Sequence, residues 1–221
     1  MIRVYKHPDI PPELTSSRSL NSTPLLERLR RDHRCKCYLC ERRLVTDFQV
    51  EHLRSRVNFP DLATTWNNLF WACSYCNGKK SGHFDNILHP VENDIETMIT
   101  QRFDFPGTSV SFRPAAGNSS PETGATIRLL SNIFNGAGRL RTLREQAFYD
   151  YARGEINTFQ RLVTGWLRDP SPENREAVAE ALSINAEFLG FKYWIIRSNP
   201  RLAEAFASEI RWNRTGNEVT G

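Results

Sequence analysis

The feature that most restricts this chain is a pair of cysteine doublets, Cys37-Tyr-Leu-Cys40 and Cys73-Ser-Tyr-Cys76. A C-x2-C turn presents two thiolates to one ion, and two such turns complete the tetrahedral all-sulfur shell of a structural zinc site. Protein fills every coordination position there, so the zinc fixes a fold and performs no chemistry. Any fold open to the chain must therefore bring Cys37, Cys40, Cys73 and Cys76 to one point. The 32 residues between the doublets exceed the ~15–20 of a simple zinc ribbon, so something is inserted between the knuckles. Four buried cysteines without metal, or an iron–sulfur cluster, are the alternatives. Cys35, two residues before the first ligand, is expected to remain a free or alternative thiol.

The setting favours metal over disulfides. The start, MIRVYKHPDIPPEL, has no apolar core, so no signal peptide is expected, and no apolar run approaches the ~20 residues that cross a bilayer. A cytoplasmic protein without membrane contact is expected, and the cytosol keeps thiols reduced. With 221 residues, 39% hydrophobic and 24% charged, the chain is globular rather than disordered. The net charge of +4 is mild, but only five of the 29 cationic residues are Lys. The planar guanidinium fork of Arg fits a phosphate bidentately, which leans towards nucleic acid or buried ion pairs.

Organisation follows from changes of period. Residues 1–34 are expected to form an irregular, proline-rich arm and a helix starting at Ser22-Thr23-Pro24 and running through Leu25, Leu26 and Leu29. Within 35–100, a strand is expected at Leu44–Val50 and a helix from about Asn67 onward. Residues 101–124 alternate near Thr108–Phe112 and then turn Gly/Pro/Ser-rich, placing a short strand, a loop and a domain boundary there. From 101 to 221 the chain is expected to be mostly helical, with helices at Thr126–Phe134, Gly138–Leu167, Pro172–Leu182 and Asn199–Ala207. Phe148, Tyr151, Phe159, Leu162, Val163 and Trp166 form a stripe typical of a bundle core. Asn135-Gly-Ala-Gly138 lacks the Lys-Ser/Thr of a phosphate loop and is expected to end a helix.

The insertion carries Glu51-His52, and Asn77 follows the last cysteine. One carboxylate and one amide oxygen, with a substrate phosphate, suffice to hold Mg2+, which prefers hard oxygen ligands and keeps several waters. A neutral imidazole, titrating near pH 6.5, can take the proton of the attacking water. Each residue alone is ordinary: a Glu-His pair is usually surface and an Asn at a helix start usually a cap. Their joint spacing around the cysteines is what points to phosphodiester chemistry. Nine cationic residues between Arg28 and Arg56 stand against Asp32, Glu41, Asp47 and Glu51, a local excess that would draw in a polyanion.

The run C-x2-C, Glu51-His52, Asn68-Leu, C-x2-C-Asn77-x2-Lys80 resembles the zinc-stapled branch of the HNH endonucleases over about residues 35–85. The resemblance implies an α+β fold, with a ββα-metal nuclease unit, a structural four-cysteine zinc site and the helical part behind it. It implies His52 as general base and Glu51 and Asn77 as ligands of a catalytic Mg or Mn ion. Asn68 would orient the base through the backbone, and Lys80 would meet the substrate phosphate. Glu51 stands where many members carry Asp, and Asn77 where others carry His, which keeps oxygen ligands but shifts ion preference. Arg54 and Arg56 are the best candidates for further phosphate contacts. His83 is expected to be packed or exposed rather than to reach the phosphate, and His7 and His33 to lie on the surface.

The whole layout is similar to the HNH effector subunits of Septu-type anti-phage systems, some of which accompany retrons. That resemblance implies a nucleic-acid substrate, DNA first, and an SMC/ABC-like ATPase partner docked through the helical tail. It also admits a retron reverse transcriptase complex. A non-catalytic zinc module that binds nucleic acid or protein is the competing reading, and a free-standing restriction-type nuclease a third.

Overall fold

The structure, a computed structural model, describes residues 1–16, 20–105, 107–138 and 140–212; positions 17–19 of the arm and 213–221 of the tail lie outside it. The arm is not a loose extension. Met1, Ile2 and Val4 are buried, the Val4 amide donates to the carbonyl of Pro90, and Lys6 lies 3.6 Å over the Trp66 ring. A single helical turn, α1 (Pro12–Ser16), precedes α2 (Thr23–Asp32). Pro24 sits in the first turn of α2, whose last turn carries Arg30 and Arg31, each suited to its end of the helix dipole. Leu25 and Leu29 face the core one turn apart.

The first knuckle follows. Cys37 to Cys40 turn back through Glu41, which takes a left-handed φ of 62° while its amide donates to the Cys37 carbonyl. An antiparallel bridge between Lys36 and Arg43, and the Leu44 amide on the Cys35 carbonyl, close this loop. Leu44 is thus used to close the knuckle. The strand expected at 44–50 begins only at Gln49, as β1 (Gln49–His52).

Trp66–Asn68 makes one 3-10 turn, and Leu69–Ala72 is then a strand, β2, where a helix was expected. A short, fully buried apolar run reads the same as strand or helix by periodicity. Here β1 settles it, pairing antiparallel with β2 in the register Val50 to Trp71 and Glu51 to Phe70. Helix α3 (Ser74–Lys80) follows, capped by Cys73, whose Sγ accepts from the Cys76 amide at 3.4 Å. The order β1–loop–β2–α3 is a ββα unit, with one cysteine knuckle ahead of β1 and the other where β2 meets α3.

Beyond one helical turn, α4 (Ile95–Met98), a hairpin of β3 (Ile99–Phe103) and β4 (Val110–Pro114) packs between α5 (Pro121–Asn135) and α8 (Leu189–Arg197). Helix α5 stops at Gly136, whose φ of 81° is the left-handed conformation glycine adopts freely, as the sequence predicts. Helix α6 (Leu143–Arg168) begins later than expected because Thr142 and Glu145 form a reciprocal capping box. Helices α7 (Pro172–Ala181) and α9 (Pro200–Ala205) repeat the start of α5, a Ser or Asn cap followed by Pro. Each such cap contributes about 1 kcal/mol.

One apolar core runs from Met1 through the knuckles, β2, the hairpin and α5 to Phe188 and Phe191. A second gathers Phe159, Val163 and Trp166 with Val178, Leu182, Ile196, Leu202 and Phe206. Helix α6 serves both, its first half the former and its second the latter. Tyr151, expected in the core stripe, is 43% exposed instead, with its hydroxyl on Glu187. The chain is α+β, with the ββα unit ahead of a largely helical C-terminal part.

Candidate active site and zinc centre

The four doublet cysteines are buried, and their Sγ atoms all lie within 4.8 Å of one another. Four thiolates around zinc at ~2.3 Å would stand about 3.8 Å apart, so this cluster fits a structural zinc ion. The crowding is itself a reason for a cation. Hydrogen bonds from Cys37, Cys40 and Cys76 hold the Cys73 thiol far below its usual range, while burial pushes Cys40 and Cys76 well above theirs. Cys35 stands outside the cluster, its Sγ accepting from Arg30 at 3.3 Å.

The knuckle is tied to the C-terminal part. The Glu41 carboxylate accepts from the amides of Leu189 (2.7 Å) and Gly190 (3.1 Å), capping α8, whose own N-cap residue Phe188 supplies no side-chain cap. Lys36 Nζ donates to the carbonyls of Ile184 and Ala186, and Arg43 to that of Asn185. Two cations of the basic stretch thus hold a loop in place and are not left for phosphate.

A groove of about 530 Å3 opens beside the sheet, and Glu51, His52, Asn77 and Arg56 all line it. His52 is held at the end of β1 with Nε2 2.9 Å from the Ala63 carbonyl, which accepts a hydrogen bond from the protonated Nε2 and leaves Nδ1 as the acceptor. Burial lowers its pKa, the Ala63 carbonyl opposes this, and Arg56 and Lys80 add to the lowering. The ring is therefore neutral at physiological pH. Asn68 does not line the groove. Its Oδ1 accepts from the Arg54 amide (2.7 Å), and its Nδ2 donates to the carbonyls of Arg54 and Leu62, each at 3.0 Å. It thereby closes the loop that carries the Ala63 carbonyl to His52.

Glu51 is buried with both oxygens engaged. Oε2 accepts from the Tyr38 hydroxyl at 2.6 Å and Oε1 lies 2.9 Å from Lys80 Nζ. Burial raises its pKa against the pull of Lys80 and Tyr38. Lys80, expected at the substrate phosphate, is 0% exposed; Nζ donates to Glu51 and to the His52 carbonyl (2.9 Å) and lies 3.8 Å from Asp85. Asp85 in turn accepts from the Ser55 amide and hydroxyl and from Asn58, fixing the loop that carries Arg56. Burial pushes the Asp85 carboxyl up, but those hydrogen bonds outweigh it and hold it below the usual range.

Asn77 gives Nδ2 to Gln49 Oε1 at 2.6 Å, which leaves its Oδ1 unclaimed. That oxygen is a hard donor of the kind Mg or Mn takes, and the Glu51 carboxylate, although already bound by Tyr38 and Lys80, lines the same groove. Arg54 lies outside the groove, and His83 is exposed. His33, expected on the surface, is buried: Nδ1 bonds the Leu29 carbonyl at 2.7 Å and Nε2 accepts from the Trp71 amide. Tyr38, Asp85 and the Ala63 carbonyl have no sequence signal beyond the cysteine spacing that encloses Tyr38.

The family model described as HNH endonuclease matches residues 35–82, which include both knuckles, β1, β2 and α3. The chain is 39% identical over 61 residues to the Septu protein PtuB of Bacillus thuringiensis. That alignment covers 26% of this chain and 23% of the relative, so the chain matches about a quarter of the relative's length. Among the described residues, no helix is long and apolar enough to cross a membrane.

Proposed function

We propose that the chain is a metal-dependent endonuclease that hydrolyses phosphodiester bonds of nucleic acid, DNA first, within a Septu-type defence complex. The observation that carries this is His52, neutral, pinned through Nε2 and opening onto the same groove as two oxygen ligands and an arginine. His52 Nδ1 takes a proton from the attacking water. The P–O3′ bond breaks as the new P–O bond forms, leaving a 5′-phosphate and a 3′ oxygen that becomes a hydroxyl by taking a proton from solvent water. Arg56 holds a phosphate oxygen, and Asn68 keeps the Ala63 carbonyl against His52. A divalent ion held by Glu51 and Asn77 would offset the charge growing on the leaving oxygen. Because Lys80 already balances the Glu51 charge, that ligand pair would hold an ion weakly on its own and more tightly with the charge of a substrate phosphate beside it.

The partner reading rests on the similarity to PtuB and on the helical half: an SMC/ABC-like ATPase docks there and restrains cleavage in the cytoplasm. The test is end-labelled DNA and RNA incubated with the protein and Mg or Mn, with and without its genomic neighbours, followed by analysis of the termini. Products with 5′-phosphates that appear only with the divalent ion support the reading. No cleavage of either polymer under any of these conditions, with zinc bound, leaves a zinc-stapled binding module.

A further inference from the structure

The groove is larger than its chemistry requires. At about 530 Å3 it falls in the ~300–1,000 Å3 range of sites that enclose a small organic ligand, well beyond one phosphate and its water. Past Glu51, His52 and Asn77 its walls are mixed: Leu20, Leu26, Phe48 and Val57 give it an apolar part, and Asn21, Gln49, Ser55 and Ser81 a polar one.

Phe48 is the unusual member. It is 37% exposed, yet its ring is fixed: it stacks on the buried Trp71 with centroids 4.1 Å apart and planes 16° from parallel. Trp71 belongs to β2, directly opposite Val50 of β1, so the stack is anchored to the sheet that presents Glu51 and His52. Val57, 83% exposed, follows Arg56 on the loop that Asp85 holds. An exposed aromatic ring locked in place in the groove that Arg56 also lines has the form of a stacking platform for nucleic acid.

We propose that Phe48 receives an unstacked nucleobase next to the phosphate held by Arg56, so that the strand being cut is unpaired or locally opened. A base has two apolar faces and a polar edge, which matches a ring and Val57 in the same groove as the Asn21 amide and the Nε2 of Gln49. An intact duplex keeps its bases stacked inward and cannot fill this volume. The proposal rests on the active-site reading above and specifies the substrate of that site.

The test uses the full chain with His52→Ala, so that bound strands survive. Two probes are compared, a single-stranded thymidine dodecamer and a dodecamer of the same sugar–phosphate backbone lacking every base. One stacked base is worth roughly 5- to 150-fold in affinity. The base-bearing strand is expected to bind at least ~5-fold tighter. Adding Phe48→Ala should abolish that difference and Phe48→Trp should keep it, with zinc content confirming that each variant is folded. Equal binding of the two probes, or a preference that survives Phe48→Ala, overturns the platform. If neither probe binds, plasmid cutting by the unsubstituted protein separates the two claims. Cutting that persists overturns the platform alone, and its absence overturns the nuclease reading beneath it.

Discussion

Lys80 separates two accounts of this site, because a lysine that meets substrate and a lysine that holds the site together respond differently to removal. Nζ has no exposed surface and is shared by Glu51 Oε1, the His52 carbonyl and, at 3.8 Å, Asp85. Lys80→Met keeps the aliphatic stem and deletes the charge, leaving a buried carboxylate with only the Tyr38 hydroxyl. Breaking one side of a buried pair costs about 3–5 kcal/mol, a large share of the roughly 5–15 kcal/mol that holds a domain folded. The double variant Glu51→Gln/Lys80→Met removes both charges and should recover more than half of that loss. Urea denaturation at pH 7 of zinc-loaded protein, followed by tryptophan fluorescence, reads both values. If Lys80→Met unfolds within about 1 kcal/mol of the unsubstituted chain, as an exposed substrate contact would, the internal role is refuted and the phosphate contact stands.

Three further outcomes follow from the same contacts. Burial first, and Lys6 second, hold the His33 pKa down to about 3, whereas the unfolded chain binds that proton near 6.5. Stability is therefore lost as pH falls through 6.5, by about 2 kcal/mol between pH 7 and 5. His33→Gln should remove that part of the slope, and equal slopes in the two proteins would contradict it. Asn68→Ala deletes three hydrogen bonds in the loop that aims the Ala63 carbonyl at His52, so kcat should drop roughly 10- to 100-fold with KM nearly unchanged, as when an outer-shell support is lost. A rise in KM alone would place Asn68 at the substrate. Stripping zinc with a chelator and a thiol reagent should unfold the segment around both knuckles, read as loss of helix signal and of protection at Cys40 and Cys76; an unchanged melting curve would show that the cluster is not a metal centre.

What the sequence discloses here is what lies close along the chain or is fixed by a spacing rule. The cysteine doublets, Glu51-His52 and Asn77 are local patterns, and the structure places them about the ββα unit. The Ser-Pro and Asn-Pro helix starts and the stop at Gly136 are local too. What stayed hidden depends on distant partners. His33 reads as surface because five of the six residues within three positions of it are charged, and only the fold brings the Trp71 amide onto its ring. Lys80 stands at the end of a short helix, where a cation is normally solvated, and nothing in Asn-Gly-Lys-Lys announces that Glu51 and Asp85 close over it. Helix α8 has no local start signal, because its first turn is capped by Glu41, 148 positions earlier in the chain. The strand at Leu69–Ala72 shows the same limit, since only its pairing with β1 distinguishes it from a buried helical turn.

The central claim is that His52 is the base of a phosphodiester hydrolysis. It is tested most directly by supercoiled plasmid incubated with Mg or Mn, the unsubstituted protein beside His52→Ala, both assayed for zinc and for thermal unfolding. The account predicts cutting by the unsubstituted protein and none by His52→Ala, with one zinc per chain and the same melting temperature in each. Equal cutting by the two proteins would contradict it.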